Sequence, residues 1–226
     1  MQRSNIEAAA RELQVAIWSD RAVLWPLGLP PLKAMFEPAI ACRVLGYEYD
    51  LRDGLGGFGN GKDRFEIAGM IDRQRKIIAV STRHGYDAMR FTGAHEVAHL
   101  HLHNGMVMHR DRPVSEVCAG WKSLEDQDAD YFAACYLAPA KLVVGEFVRR
   151  YGTKKPLPLT DTVAWHLCGE QHHQLMSARP DSLDFAVAVS TAASFDGRRF
   201  SPMTTEFGLS PKAMALRLKE LGLILD

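Results

Sequence analysis

The pentapeptide His95-Glu96-Val97-Ala98-His99 constrains the fold of this chain more than any other stretch. Four residues of α-helix rise ~6 Å and turn slightly more than once, so both imidazoles leave one face and can converge on one metal ion. Glu96 leaves in a neighbouring direction, where its carboxylate can move a proton between a water molecule and a leaving amine. The pattern therefore predicts a helix with two zinc ligands, His95 and His99, and a catalytic glutamate.

The sequence around this motif is typical of a partly buried helix. Residues 88–102 contain no proline and mix apolar with polar positions. His103 lies on the same helix face, but ~12 Å along the axis from His95, which is too far for both to bind one ion. We expect His103 to orient a ligand or to cap the helix, and His101 to face solvent.

A third protein ligand must come from another segment, and residues 124–138 are the obvious candidate. The first seven positions of this helix-length run carry four acids, Glu125, Asp126, Asp128 and Asp130. Acids also favour the first turn of a helix because of the helix dipole, so they do not by themselves indicate a metal. The periodicity leaves both Glu125 and Asp126 as possible ligands.

Three ordered blocks of the chain, covering roughly residues 64–139 and 200–225, resemble the ImmA/IrrE family of metallopeptidases. The first block is Arg90-Phe91-Thr92 running into Ala94-His95-Glu96, His99 and His103. The second block is Asp126, Ala129-Asp130, Phe132-Ala133 and Leu137-Ala138-Pro139. The third block is Phe207-Gly208-Leu209-Ser210, followed by Ala213-Met214 and residues 217–223.

The resemblance implies that Asp126 occupies the third ligand position, where the family normally has glutamate. Aspartate is one methylene shorter, so its helix must approach the metal by ~1–1.5 Å more, or Glu125 must substitute. Asp130, one turn later, would accept the second ring N–H of a liganding histidine; the alternative is a solvated acid. The chain also departs from the family at Gly93, normally bulky and apolar, and at Ala98, normally glycine.

The resemblance further implies a zinc-dependent endopeptidase that cleaves a helix-turn-helix transcriptional repressor and so derepresses stress-response or mobile-element genes. Mn²⁺ and Fe²⁺ are alternatives to Zn²⁺, because two histidines and a carboxylate do not specify zinc. Tyr86, Arg90 and Tyr131 would assist at an oxyanion only if they face the cleft. The competing hypothesis is a non-catalytic metal-binding regulator whose C-terminal helices bind a repressor or DNA.

The expected fold is α+β. With 226 residues, 47% hydrophobic, the chain can bury a substantial core. Helical and alternating patterns predict helices at 5–18 and 32–45 and paired strands at 65–71 and 76–81. With the resemblance, they predict a zincin-like metallopeptidase core with a small antiparallel sheet in residues 1–152. Residues 153–226 are expected to form a helical insertion and a helix-turn-helix-like segment.

The charge balance and apolar segments limit the partners that we expect. The formal net charge is zero, so nothing attracts the whole chain to nucleic acid or an anionic membrane. No stretch has the continuous apolar character of a signal peptide or a membrane span, so we predict a cytoplasmic protein. Four widely spaced cysteines are then expected to be reduced: Cys42, Cys118, Cys135 and Cys168.

Two further patterns have competing interpretations. Ser210 is a good N-cap for a helix that exposes Lys212, Arg217 and Lys219, and this helix could read DNA. Three basic residues are few for that role, so packing or protein binding is the preferred interpretation. Three histidines lie in the insertion: His166, His172 and His173. They could suggest another metal site, but a solvated helix face is the simpler interpretation.

Overall fold

The computed structural model describes residues 1–58, 65–103, 108–111, 123–179 and 181–225. The chain divides into two compact units, Met1–Leu137 and Ala138–Asp226. This division comes earlier in the chain than the boundary expected after residue 152. The reason is that the helix after residue 139 packs with the C-terminal half, where the Tyr151 hydroxyl donates a hydrogen bond to the Val189 carbonyl at 2.6 Å.

The helices of the first unit follow the predicted periodicities closely. They are α1 (Arg3–Ser19), α2 (Arg21–Leu24), α3 (Leu32–Met35), α4 (Pro38–Leu45), α5 (Tyr86–Leu102) and α6 (Leu124–Leu137). In α1 the buried residues recur every three or four positions, as expected for one apolar face: Ile6, Ala10, Leu13 and Ile17. The single helix predicted over 32–45 is two helices, because the residue before Pro38 is held in an extended conformation.

The strands of this unit are β1 (Glu48–Arg52), β2 (Gly57–Phe58), β3 (Phe65–Glu66), β4 (Gly69–Asp72), β5 (Ile77–Ser81) and β6 (Met108–Asp111). Strands β2 and β3 form a short hairpin, and the other four form a sheet in the order β1-β5-β4-β6. β4 pairs antiparallel with β5 as predicted and also with β6, which the sequence patterns did not indicate, whereas β1 pairs parallel with β5. A parallel pair is possible there because residues 53–76 separate the two strands, so no tight hairpin sets their direction.

Helix α5 lies against the buried strand of this sheet. Residues Ile78, Ala79, Val80 and Ser81 of β5 are fully buried, and α5 contacts β4 and β5 as well as α6. The short turn between β4 and β5 also reaches the last turn of α5. The sheet therefore packs against the helix that carries the histidine pair.

The second unit is mostly helical, as predicted, with two small sheets that the sequence patterns did not indicate. Its elements are α7 (Ala140–Tyr151), β7 (Leu157–Pro158), α8 (Asp161–Cys168), α9 (His172–Met176), α10 (Asp184–Thr191), β8 (Ser194–Phe195), β9 (Arg198–Arg199), α11 (Met203–Phe207), α12 (Pro211–Glu220) and β10 (Ile224–Leu225). β7 pairs parallel with β10, and β8 with β9 antiparallel. Between α8 and α9 the helical path of the chain breaks at Gly169, whose φ is +56°.

One prediction about the terminal helix is wrong. Ser210 caps α12 as expected, since its hydroxyl accepts the Ala213 N–H at 3.2 Å. Arg217, however, is only 3% exposed. Its guanidinium donates to the Ala138 carbonyl at 3.1 Å and pairs with Glu220 at 3.3 Å, so it is a packed internal residue and not part of a basic surface.

The remaining sequence predictions concern membranes and cysteines. Among the helices that the structure describes, none is by itself long and apolar enough to cross a membrane; α6 and α7 meet the criterion only when counted together. Within the described part of the chain, Cys42, Cys135 and Cys168 form no disulfide, and Cys118 lies outside that part. Burial raises the pKa of Cys42 to about 12, so this thiol is unreactive.

Candidate metal centre

Helix α5 brings the two motif histidines together inside the protein. His95 is 5% exposed, Glu96 is fully buried and His99 is 2% exposed. The Nε2 atoms of the two imidazoles lie 3.0 Å apart. One turn of helix thus points the same nitrogen of each ring at one location, as the spacing predicts.

Helix α6 adds a carboxylate to this pair. Asp126 Oδ1 lies 3.5 Å from His99 Nε2, and the ligand atoms of His95, His99 and Asp126 all lie within 4.8 Å of one another. Ligands bound tetrahedrally at ~2.0–2.1 Å are ~3.3 Å apart, so the donor set fits a zinc-sized ion. Glu125 is exposed and does not belong to this group among the described residues.

The other nitrogen of each imidazole also has a partner. His95 Nδ1 lies 2.8 Å from Asp130 Oδ1, and His99 Nδ1 lies 3.1 Å from His103 Nδ1. A carboxylate accepts, so His95 donates from Nδ1 and its Nε2 keeps a lone pair for a metal. The structure thus places Asp130 and His103 where each can fix the ring of one histidine.

Arg73, which sequence reasoning missed, holds the end of α5. It lies in the turn between β4 and β5 and donates to the carbonyls of His99, at 2.7 Å, and His103. A third contact reaches the Leu100 carbonyl at 3.4 Å. These carbonyls belong to the last turn and C-cap of α5, where main-chain acceptors lack partners within the helix. Arg73 therefore fixes the segment on which His103 meets His99.

Gly69, also missed, makes room for the glutamate. A Cβ at this position of β4 would lie 2.2 Å from Glu96 Oε1 and 2.8 Å from Thr92 Cγ2. Carbon and oxygen atoms do not approach so closely without bonding, so any side chain here must displace the carboxylate. The main chain of β4 thus forms one wall around Glu96.

The unusual Gly93 has a packing explanation. A Cβ on Gly93 would lie 2.4 Å from the Tyr49 hydroxyl and 3.0 Å from Pro38 Cβ. Tyr49 and Pro38 therefore occupy the space that a bulky residue would fill. Burial raises the pKa of Tyr49, and nearby acidic groups, among them Glu96, raise it further, so the phenol stays protonated.

The three residues considered for oxyanion assistance bind glutamates elsewhere. Tyr86 and Arg90 both donate to Glu37 Oε1, and Tyr131 donates to Glu7 Oε1. Arg90 also donates to the Lys33 carbonyl at 2.9 Å, which ties α5 to the segment before α4. All three side chains are thus engaged in hydrogen bonds to glutamates of the first unit.

Several other histidines do not join the centre. His101 is half-buried, not solvated as expected, and its ring lies 5.8 Å from that of Phe132. Burial lowers its pKa, an effect that nearby Glu12 opposes. In the part of the chain that the structure describes, His166, His172 and His173 form no group of three potential metal ligands.

Comparison with known proteins identifies the region that carries the centre. The family model for the IrrE N-terminal-like domain, Peptidase M78, matches residues 55–164. These residues include the whole of α5 and α6, and so every potential ligand described above. The search of curated proteins returned no match.

Proposed function

We propose that this chain, an ImmA/IrrE-family metallopeptidase through residues 55–164, is a zinc-dependent endopeptidase that cleaves a helix-turn-helix transcriptional repressor. Such cleavage would derepress stress-response or mobile-element genes. The observation that carries the proposal is the convergence of His95 Nε2, His99 Nε2 and Asp126 Oδ1 beside the buried Glu96. Two nitrogens and one carboxylate oxygen are the donor set of many hydrolytic zinc sites.

Each residue of the centre has a definite task in this proposal. Zinc held by His95, His99 and Asp126 would supply a Lewis acid that polarises the scissile carbonyl and acidifies a water molecule. Glu96 would act as the general base that accepts a proton from the attacking water and as the acid that donates it to the leaving amine. Asp130 and His103 hold the imidazole rings in the tautomers that offer Nε2. Mn²⁺ or Fe²⁺ could occupy the same donors.

The sheet offers a way to bind an extended peptide. In the described four-stranded sheet, β6 is an edge strand beside β4, and β4 carries Gly69 against Glu96. A peptide that adds to an edge strand gains main-chain hydrogen bonds without a sequence-specific pocket. This geometry supports an endopeptidase that acts on an unfolded or exposed segment of its substrate.

The choice of a protein substrate over DNA is supported by the terminal helix. Arg217 is buried and bonded internally, so α12 lacks one of the three cations that a recognition helix would have used. The specific choice of a repressor rests on the family resemblance. We therefore propose that this chain recognises a protein and not DNA.

Cleavage of a candidate repressor tests the proposal. Zinc-loaded wild-type protein is incubated with a helix-turn-helix repressor encoded beside its gene, and fragments are identified by mass spectrometry. The same assay is run with Glu96→Gln and with the control Glu125→Gln, which removes an exposed acid of α6. Wild type and Glu125→Gln should produce fragments, whereas Glu96→Gln should be ~10²–10⁴-fold slower with unchanged zinc content.

The competing hypothesis of a non-catalytic regulator predicts a different result. In that case Glu96→Gln would keep its effect on repressor-controlled transcription, and no fragments would appear with any variant. Metal analysis of protein purified without added zinc identifies the ion that the centre holds, since Zn²⁺, Mn²⁺ and Fe²⁺ are distinguished directly.

A further inference from the structure

The first turn of α6 is held by a reciprocal pair of hydrogen bonds. The Ser123 hydroxyl accepts the N–H of Asp126 at 3.0 Å, and Asp126 Oδ2 accepts the N–H of Ser123 at 3.2 Å. This arrangement is a capping box, in which the residue before the helix and the third helical residue satisfy each other's N–H groups. The usual glutamate or glutamine of the motif is here an aspartate.

The capping box and the metal centre share one carboxylate. Asp126 Oδ2 faces the N–H of Ser123, while Oδ1 of the same group lies 3.5 Å from His99 Nε2. We infer that Ser123 is a positioning residue for the metal centre, which holds the Asp126 carboxylate so that Oδ1 alone is presented to the ion. This inference rests on the proposed function, because it assigns the role of a residue at that same site.

One-oxygen binding has two chemical consequences. A carboxylate that binds through one oxygen leaves a fourth position of a tetrahedral ion open, whereas a two-oxygen carboxylate would crowd it. A side chain already held in its binding rotamer also loses less conformational entropy when the metal arrives. The short aspartate fits both requirements, because its two oxygens can reach the cap and the imidazoles at once.

The chain contains a matched control for the cap itself. Ser210 caps α12 in the same way, with its hydroxyl accepting the N–H of Ala213 at 3.2 Å. The residue at the third helical position is there an alanine, so no metal-site carboxylate depends on this cap. A serine-to-alanine change at each position therefore separates the loss of a helix cap from the loss of ligand positioning.

The experiment measures zinc affinity by competition with a chelator of known affinity, using the full chain and Zn²⁺ alone. Ser123→Ala should bind zinc ~10-fold or more weakly, in the range found when a residue supporting a metal ligand is removed. Ser123→Thr keeps the hydroxyl and should restore wild-type affinity. Ser210→Ala should lower the thermal stability of the metal-free protein but leave zinc affinity unchanged, and circular dichroism checks that each variant is folded.

The outcomes distinguish this inference from the proposed function. Wild-type zinc affinity in Ser123→Ala, or an equal loss in Ser210→Ala, overturns the role of Ser123 and leaves the metal centre intact. A wild-type chain that takes up no zinc overturns both. A second measurement needs no variant: in a crystal structure of the zinc-loaded wild type, Asp126 Oδ1 should bind the ion and Oδ2 should remain on Ser123. Two-oxygen binding overturns the inference.

Discussion

Both compact units bury charged or polar side chains, but they do so in different ways. In the second unit, Arg150 is 1% exposed, donates to the Ser201 carbonyl at 2.8 Å and pairs with Glu146. Arg217 is likewise matched by the Ala138 carbonyl and Glu220. Each cation meets an anion and main-chain acceptors within the same unit. Buried charged groups that have such ion-pair and hydrogen-bond partners have a structural role.

The first unit buries a similarly paired arginine, Arg90, but it also buries two imidazoles whose ring nitrogens face different surroundings. The Nδ1 atoms of His95 and His99 meet Asp130 and His103, but their Nε2 atoms and Asp126 Oδ1 converge on one location. Three potential metal ligands that lie within 4.8 Å of one another could hold a shared cation. The comparison teaches that the direction of buried polar groups, more than their number, separates a binding centre from a structural network.

Removing the metal should have the largest effect on folding stability, and this effect should be confined to the first unit. An ion present at 1,000 times its dissociation constant adds about 4 kcal/mol to folding stability. Chelation should therefore speed hydrogen exchange at the amides of α5 and α6 but leave α7 and α10 unchanged. Equal changes of hydrogen exchange in both units, or no change in α5, would contradict this difference between the units.

Substituting Gly69 should damage catalysis without touching the ligands. The new methyl group of Gly69→Ala would displace the Glu96 carboxylate, and a shift of about 1 Å in a catalytic group can cost about 10²-fold in rate. Zinc affinity should stay at the wild-type value, because the atoms nearest to the new methyl group belong to Glu96 and Thr92 and not to the three ligands.

Gly145→Ala is the matched control for that substitution. A Cβ at this position of α7 would meet nothing within 4 Å, so the variant should cleave at the wild-type rate. The measurement compares the cleavage rates of Gly69→Ala and Gly145→Ala with that of the wild type. Full activity in Gly69→Ala would show that Glu96 tolerates a displaced position.

Breaking the network of the second unit should cost stability alone. Glu146→Gln removes the charge that faces buried Arg150 and should lower the free energy of unfolding by about 1–2 kcal/mol, with unchanged zinc affinity. Arg149→Ala is the control, since this exposed partner of Glu146 should contribute less than about 1 kcal/mol. Chemical denaturation measures both. A loss of zinc binding in Glu146→Gln would contradict a purely structural network.

The same network predicts the smallest effect, a dependence on acid. Burial alone would raise the pKa of Glu146, but hydrogen bonds from Arg149 and Arg150 bring it below the ordinary value of 4.5. A pKa lower in the folded state than in the unfolded state stabilises the fold above about pH 4.5, and this contribution is lost as the pH falls further. The thermal stabilities of wild type and Glu146→Gln should therefore converge on acidification. A constant difference would show that the charge of Glu146 is irrelevant.

Much of the fold could be predicted because it depends on local patterns. The apolar spacing of α1, the turn between β4 and β5 and the Ser210 cap are each set within a few residues. The parallel pairing of β1 and the break before Pro38 were missed. The direction of β1 depends on a partner strand that is distant in the sequence. The break depends on a single residue, Pro38, that ends one helix and begins the next.

The sequence by itself determined the relation between His95, Glu96 and His99, because the helical repeat places residues four apart on one face. Its periodicity left both Glu125 and Asp126 possible and the family resemblance favoured Asp126, but only the packing of α6 on α5 brings the Asp126 carboxylate to the His99 imidazole. The same is true of Gly69 against Glu96 and of the buried Arg217. Contacts between distant segments depend on the rotation and approach of whole elements, which no local spacing contains.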